Sequence, residues 1–197
     1  MKKAVIFIDV QKDFIDGALQ NDNAIKVLPK LIDFAKECIK NDYKLYATRD
    51  THEKTVYDNT STPKAAYNPE IPINGYLTTL EGKNLPIEHC IEGSDGWMIN
   101  EQLWNVIKGK CTFVNKSTFG SFDLVEILEE DFENAKLDEI ILVGFVTDIC
   151  VAANAILLRA KFPNTKITVI KDLCAGTTEE NHEVALKVLT MQQINIV

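Results

Sequence analysis

The chain lacks a long apolar run, a surplus of positive charge and any pair of cysteines in CxxC spacing, and each absence excludes something. No stretch approaches the roughly 20 apolar residues that a membrane-spanning helix needs. The opening MKKAVIFIDVQ has two lysines and an apolar run, but the run meets Asp9 too soon for a secretory signal, so a cytoplasmic protein is expected. Lys and Arg number 21 against 29 Asp and Glu, a formal charge of -8. That balance disfavours nucleic acid and anionic membrane as partners, because their phosphates repel it, and leaves a small molecule. The five cysteines (Cys38, Cys90, Cys111, Cys150 and Cys174) are odd in number, which argues against a disulfide framework or a zinc ribbon. Free thiols in a reducing compartment are expected. Cys38, Cys111 and Cys174 read as structural, the last just after a strand, and there is no repeat or low-complexity tract.

What is present is an alternation of strands and helices. Apolar runs at 4–8, 44–48, 111–114, 140–143, 167–170 and 194–197 read as six strands. Between them lie helical periods: Ile25, Leu28, Leu31, Ile32, Ala35 and Ile39 on one face of 23–40, then Met98, Leu103, Trp104 and Ile107. Leu124, Val125, Ile127 and Leu128 follow a capping Ser121, the next helix starts near Cys150, and the last, near 178–190, has Thr177 and Glu180 in capping-box spacing. This order predicts an α/β protein, a three-layer α/β/α fold around a six-stranded, mostly parallel sheet, with residues 1–197 as one domain. The segment 58–96 interrupts the rhythm. It holds four of the six prolines and four of the nine glycines, together with Ile71, Ile73 and Tyr76, and reads as a loop-rich insertion near the site.

Parallel sheets expose their working residues at the carboxyl ends of strands, and four of the expected strands end in chemistry. Asp9 follows the first, Asp50 and His52 the second, Lys116 the third, and the fourth leads into Cys150. A thiol on the first turn of a helix meets unpaired N–H groups and the helix dipole, which favour thiolate and make Cys150 a candidate nucleophile. A buried apolar cysteine is the other reading of that position. With Asp9 as base and then acid, and Lys116 as the cation holding the ionised pair, the three could attack a carbonyl. Asp50, His52 and the distant His89 offer one oxygen and two nitrogens to a divalent metal ion such as zinc, iron or manganese. His182, among charged residues of the last helix, reads as solvated. A flavin-binding module is disfavoured, since DVQKDF has no glycines to cradle phosphate; a silent scaffold would leave the joint occurrence of Asp9, Lys116 and Cys150 without a reason.

Three segments, DVQKDF at 9–14, KSTFGSF at 116–122 and GFVTDICV at 144–151, together resemble the isochorismatase-like cysteine hydrolases, and within them the nicotinamidases. The resemblance implies a triad of Asp9, Lys116 and Cys150, a thioester intermediate, and a non-proline cis peptide between Phe145 and Val146. It also implies an oxyanion hole from the backbone N–H groups of Val146 and Cys150. TRDTH at 48–52 and EHCIEGSDGW at 88–97 are similar to the nicotinamidase metal motif, which implies Asp50, His52 and His89 as ligands, although Thr51 stands where an aromatic residue is common. Phe14 matches a position that packs on substrate. By the same resemblance the substrate is a small amide, nicotinamide or another amide or carbamoyl compound, and the protein a homo-oligomer.

Overall fold

The computed structural model describes residues 2–57, 72–133 and 136–197; residues 58–71 of the expected insertion, Ile71 among them, lie outside the described residues. The strands are β1 (Lys3–Ile8), β2 (Lys44–Asp50), β3 (Val56–Tyr57), β4 (Pro72–Asn74), β5 (Cys111–Lys116), β6 (Glu139–Phe145), β7 (Lys166–Ala175) and β8 (Asn195–Ile196). The helices are α1 (Asp22–Lys40), α2 (Leu80–Asn84), α3 (Glu101–Ile107), α4 (Phe122–Phe132), α5 (Ala152–Lys161) and α6 (Glu179–Met191). Six strands form a sheet in the order β5-β2-β1-β6-β7-β8, with every pairing parallel. β3 and β4 form a separate antiparallel pair.

Alternation along β1 shows why the sheet is covered twice. Ala4, Ile6 and Ile8 pack with Leu124 and Leu128 of α4, Leu158 of α5 and Leu189 of α6. Val5 and Phe7 face the other way, onto Leu31 and Ala35 of α1 and Leu103 and Ile107 of α3. Successive side chains of a strand point to opposite faces, so a continuous apolar run requires a helical layer on each side. The three-layer expectation holds. The chain runs from β1 outward through β2 to β5, then returns across β1 to β6 and continues to β8. The reversal falls between β1 and β6, where an open parallel sheet leaves a crevice at its carboxyl edge.

Local differences have local causes. α6 is capped by Thr178, whose hydroxyl accepts from Asn181 N, rather than by Thr177. Thr177 is engaged elsewhere: its N–H and hydroxyl both donate to the Asp148 carboxylate, at 2.8 and 2.6 Å. β7 runs on past the expected 167–170, and after a register shift Cys174 pairs with Gly144, placing that cysteine inside the strand. Met98 stands outside α3 and is 44% exposed, because the helix begins only at Glu101 behind the Asn100 cap. No described helix is long and apolar enough to cross a membrane.

At the opposite edge of the sheet Glu139 joins three strands, accepting from Lys3 Nζ at 2.7 Å, Lys166 Nζ at 2.9 Å and Thr168 Oγ1 at 2.7 Å. Burial works to raise its carboxyl pKa, but the hydrogen bonds from Lys3, Lys166 and Thr168 outweigh it and hold the value down to about 2. A depressed folded-state value stabilises the fold above the usual Glu value of about 4.5, and that contribution is lost as pH falls toward about 2. Glu139→Gln is therefore expected to cost about 1–2 kcal/mol near neutral pH, discounted for the exposure of Lys166. Denaturant unfolding across pH checks this, since the gap to the unmodified protein should close in acid.

Candidate active site

Four adjacent strands, β5, β2, β1 and β6, end in or lead directly to Lys116, Asp50, Asp9 and Cys150, so the sheet order itself lines these residues along one edge. Lys116 Nζ lies 2.7 Å from Asp9 Oδ2, 3.4 Å from Asp50 Oδ1 and 3.6 Å from Cys150 Sγ. Asp9 is fully buried, and Lys116 and Cys150 are each 5% exposed. Asp9 takes a left-handed conformation, φ 46°, which turns its side chain out of the strand direction and into the cluster. Gly144 makes the approach possible: a Cβ there would lie 2.1 Å from the Ile8 carbonyl oxygen of β1.

The two carboxylate oxygens of Asp9 are differently employed. Oδ1 accepts from Thr48 Oγ1 at 2.6 Å, whereas Oδ2 accepts no well-directed hydrogen bond and faces the Lys116 ammonium at 2.7 Å. Oδ2 thus keeps a lone pair available for a proton. Burial raises the Asp9 carboxyl pKa, Lys116 opposing it. For Lys116 burial works downward, but Asp9, Cys150 and Asp50 together raise it, so the ammonium stays charged.

Cys150 occupies a wide helical turn, Thr147–Val151, immediately before α5. Its N-terminal helical position was expected to favour thiolate; the structure reverses this. Burial raises the thiol well above its ordinary range, the Asp9 charge adds to the effect, and Lys116 only partly opposes it. The resting group is a thiol that must lose its proton to react, and the neighbouring Asp9 is placed to take it. The Phe145–Val146 peptide is cis, as the resemblance implies.

Beyond Asp50 the site continues into a set of metal-type donors. Oxygens of Asp50 and Glu81 and ring nitrogens of His52 and His89 all lie within 4.8 Å of one another. His52 Nε2 is 2.9 Å from Asp50 Oδ2 and 3.7 Å from Glu81 Oε1; His89 Nε2 is 3.4 and 3.6 Å from the same atoms. His89 Nδ1 is 2.8 Å from the Ile87 carbonyl, a contact that commits it as a donor and leaves the Nε2 lone pair facing the cluster. Two imidazoles and two carboxylates converging this way fit a divalent ion such as zinc. Glu81, on α2, was not among the expected ligands: it lies in the proline- and glycine-rich segment, which has no period to single it out. Nor is that segment featureless, since β4 and α2 fall within its described part.

One cavity of about 930 Å³ reaches both groups, with Cys150 in its wall together with Asp50, Glu81 and His89. Phe14, Leu19, Phe119, Val146 and Ile149 supply apolar lining. Phe14 also meets His89 edge-on, ring centroids 5.7 Å apart. Thr51, the departure noted between Asp50 and His52, is held in place: its hydroxyl accepts from Trp97 Nε1 at 2.9 Å and donates to the Arg49 carbonyl at 3.0 Å. His182 is not merely solvated, because its Nδ1 lies 2.8 Å from Thr147 Oγ1 and ties α6 to the turn that carries Cys150.

The chain is 26% identical to the nicotinamidase of Escherichia coli over 192 residues, covering 88% of this chain and 83% of that protein. It is 25% identical to the nicotinamidase of Saccharomyces cerevisiae, covering 99% of each. Among solved structures, a nicotinamidase from Bacillus subtilis superposes with a TM-score of 0.77 at 22% identity, covering 100% of this chain and 99% of the other. The zinc complex of a Pyrococcus horikoshii pyrazinamidase gives 0.75 at 21% identity, with 100% and 99% covered. The fold that gathers an acid, an amine and a thiol at one sheet edge matches the isochorismatase domain model over residues 3–197, and the chain belongs to the isochorismatase family.

Proposed function

We propose that this protein is a metal-containing cysteine amidohydrolase that converts nicotinamide and water to nicotinic acid and ammonia. The observation that carries the reading is a single cavity in which Cys150, backed by Lys116 and Asp9, faces the Asp50, His52, Glu81 and His89 cluster. Asp9 Oδ2 takes the Cys150 proton as sulfur attacks the carboxamide carbon. Lys116 holds the negative charge that moves from carboxylate to sulfur, which keeps the cluster at constant charge while the proton is in transit. The backbone N–H groups of Val146 and Cys150 are the donors we assign to the developing oxyanion. Protonated Asp9 returns its proton to the departing nitrogen, ammonia leaves, and a thioester remains. Water then adds with Asp9 again as base, and collapse of that adduct frees the carboxylate product and restores the thiol.

Asp50, His52, Glu81 and His89 would hold the metal. When bound, the ion supplies a Lewis-acid anchor for the pyridine nitrogen, directly or through a coordinated water. Phe14 and the other apolar residues of the cavity would pack on the ring. The wider proposal is one catalytic domain acting on a small neutral molecule in the cytoplasm, as part of a homo-oligomer and in nicotinamide salvage.

The test is ammonia release from nicotinamide, pyrazinamide, aliphatic amides and carbamoyl compounds. Turnover of nicotinamide is the expected result. Turnover confined to a carbamoyl compound or another amide would move the chain to a different substrate within the family, and silence toward all of them would favour a scaffold. In the same assay His52→Ala is expected to raise KM far more than it lowers kcat. Its metal content, measured by elemental analysis after dialysis, should fall to a small fraction of that of the unmodified protein.

A further inference from the structure

The loop after β1 does more than present Asp9. Its alternate positions 9, 11 and 13 are all buried, at 0%, 0% and 8% exposure, yet only Asp9 touches the nucleophile cluster. Gln11 grips Asp50 by its backbone. Its Oε1 accepts from Asp50 N at 2.7 Å and its Nε2 donates to Asp50 O at 2.8 Å, with the second amide hydrogen going to Trp97 O at 2.9 Å. Both donors of the carboxamide are used and its oxygen is engaged, so the side chain has one orientation.

Asp13 does the same for the other half of the donor set. Its Oδ2 accepts from Cys90 N at 2.7 Å and its Oδ1 from Ala18 N at 2.9 Å. Cys90 directly follows His89 and is itself left-handed, φ 48°, so the carboxylate secures an unusual backbone turn beside a candidate ligand. The Cys90 carbonyl in turn accepts from His52 N at 3.0 Å, which passes the same anchor to the second histidine. Gly96 leaves room for this carboxylate: a Cβ there would lie 2.1 Å from Asp13 Oδ2.

From this geometry we infer that Gln11 and Asp13 are positioning residues that set the affinity of the Asp50, His52, Glu81 and His89 cluster for its metal. The inference rests on the metal reading given above and goes beyond it, since neither side chain is among the donors or in the cavity lining. Partners that orient metal ligands without touching the ion typically change affinity by about 10–100-fold when removed.

Gln11→Glu preserves length and the acceptor for Asp50 N, but sets an oxygen against the carbonyls of Asp50 and Trp97. Asp13→Asn alters the second anchor independently and decides the matter if the first variant does not fold. Zinc is titrated into metal-free protein against a chromophoric chelator, with circular dichroism and thermal melting of the metal-free form recorded alongside. The zinc dissociation constant is expected to rise about 10–100-fold in each folded variant. Glu139→Gln, destabilised at the far edge of the sheet, should bind zinc as the unmodified protein does. Dissociation constants within about threefold of the unmodified value in both variants would overturn the inference, as would an equal loss in Glu139→Gln. Failure of the unmodified protein to bind zinc would remove the metal reading and the positioning role together, whereas failure on nicotinamide with normal zinc binding would strike only the substrate assignment.

Discussion

Replacement of Cys150 by alanine is expected to lower kcat/KM for nicotinamide by at least about 10⁴-fold, because among the described residues no other thiol lines the cavity to form the thioester. The fold should tolerate the change. Cys150 is buried at the end of a packed turn, and losing one sulfur leaves a small cavity whose cost is about 1–2 kcal/mol. Activity and stability therefore separate, and steady-state kinetics beside a denaturant curve would show it. Asp9 and Lys116 remain ion-paired in this variant, so substrate binding should survive the loss of turnover.

Lys116→Ala is expected to do the opposite, damaging both properties at once. Its ammonium is the cation that faces Asp9 at 2.7 Å and Asp50 at 3.4 Å. Removing one partner from a buried ionic group strands the other charges at low dielectric, at a cost of about 3–5 kcal/mol. Turnover should fall with it, by about 10³-fold or more, since a charge moving from carboxylate to sulfur would have no counterion. The pH dependence of the stability deficit identifies the cause. With the ammonium gone, burial raises the Asp9 carboxyl further, and a raised folded-state carboxyl stabilises the fold as pH falls. The deficit relative to the unmodified protein should thus shrink in mild acid. Lys116→Met, which keeps most of the side-chain volume, should show nearly the same deficit if charge is responsible, and much less of it if packing is.

The layout of the sheet was readable because apolar runs of four or five residues alternate with helical periods, and the cluster of Asp9, Lys116 and Cys150 was readable because each member closes or follows such a run. His52 and His89 stood out because histidine is scarce in this chain at three copies, and Asp50 because it sits two residues before His52 at the end of a strand. Glu81 could not, as one of 29 acidic residues in a segment without regular spacing; only the approach of α2 to the histidines reveals it. Gln11 and Asp13 were visible merely as parts of a motif, since their roles consist of hydrogen bonds to residues 39 and 77 positions away. The protonation state of Cys150 was misjudged for a related reason. Helix position is written in the sequence, whereas the burial that dominates the thiol depends on how β1, β5 and β6 close around it. The cap of α6 shifted by one residue because Thr177 had a tertiary partner, Asp148, that local spacing does not show.

Covalent catalysis at Cys150 is tested most directly by rapid acid quench of the protein turning over nicotinamide, followed by intact-mass and peptide-mass analysis. The mechanism predicts a transient adduct with the mass of one nicotinoyl group, confined to the peptide containing Cys150 and absent from Cys150→Ala. Nicotinamide turnover that persists in Cys150→Ala would contradict it.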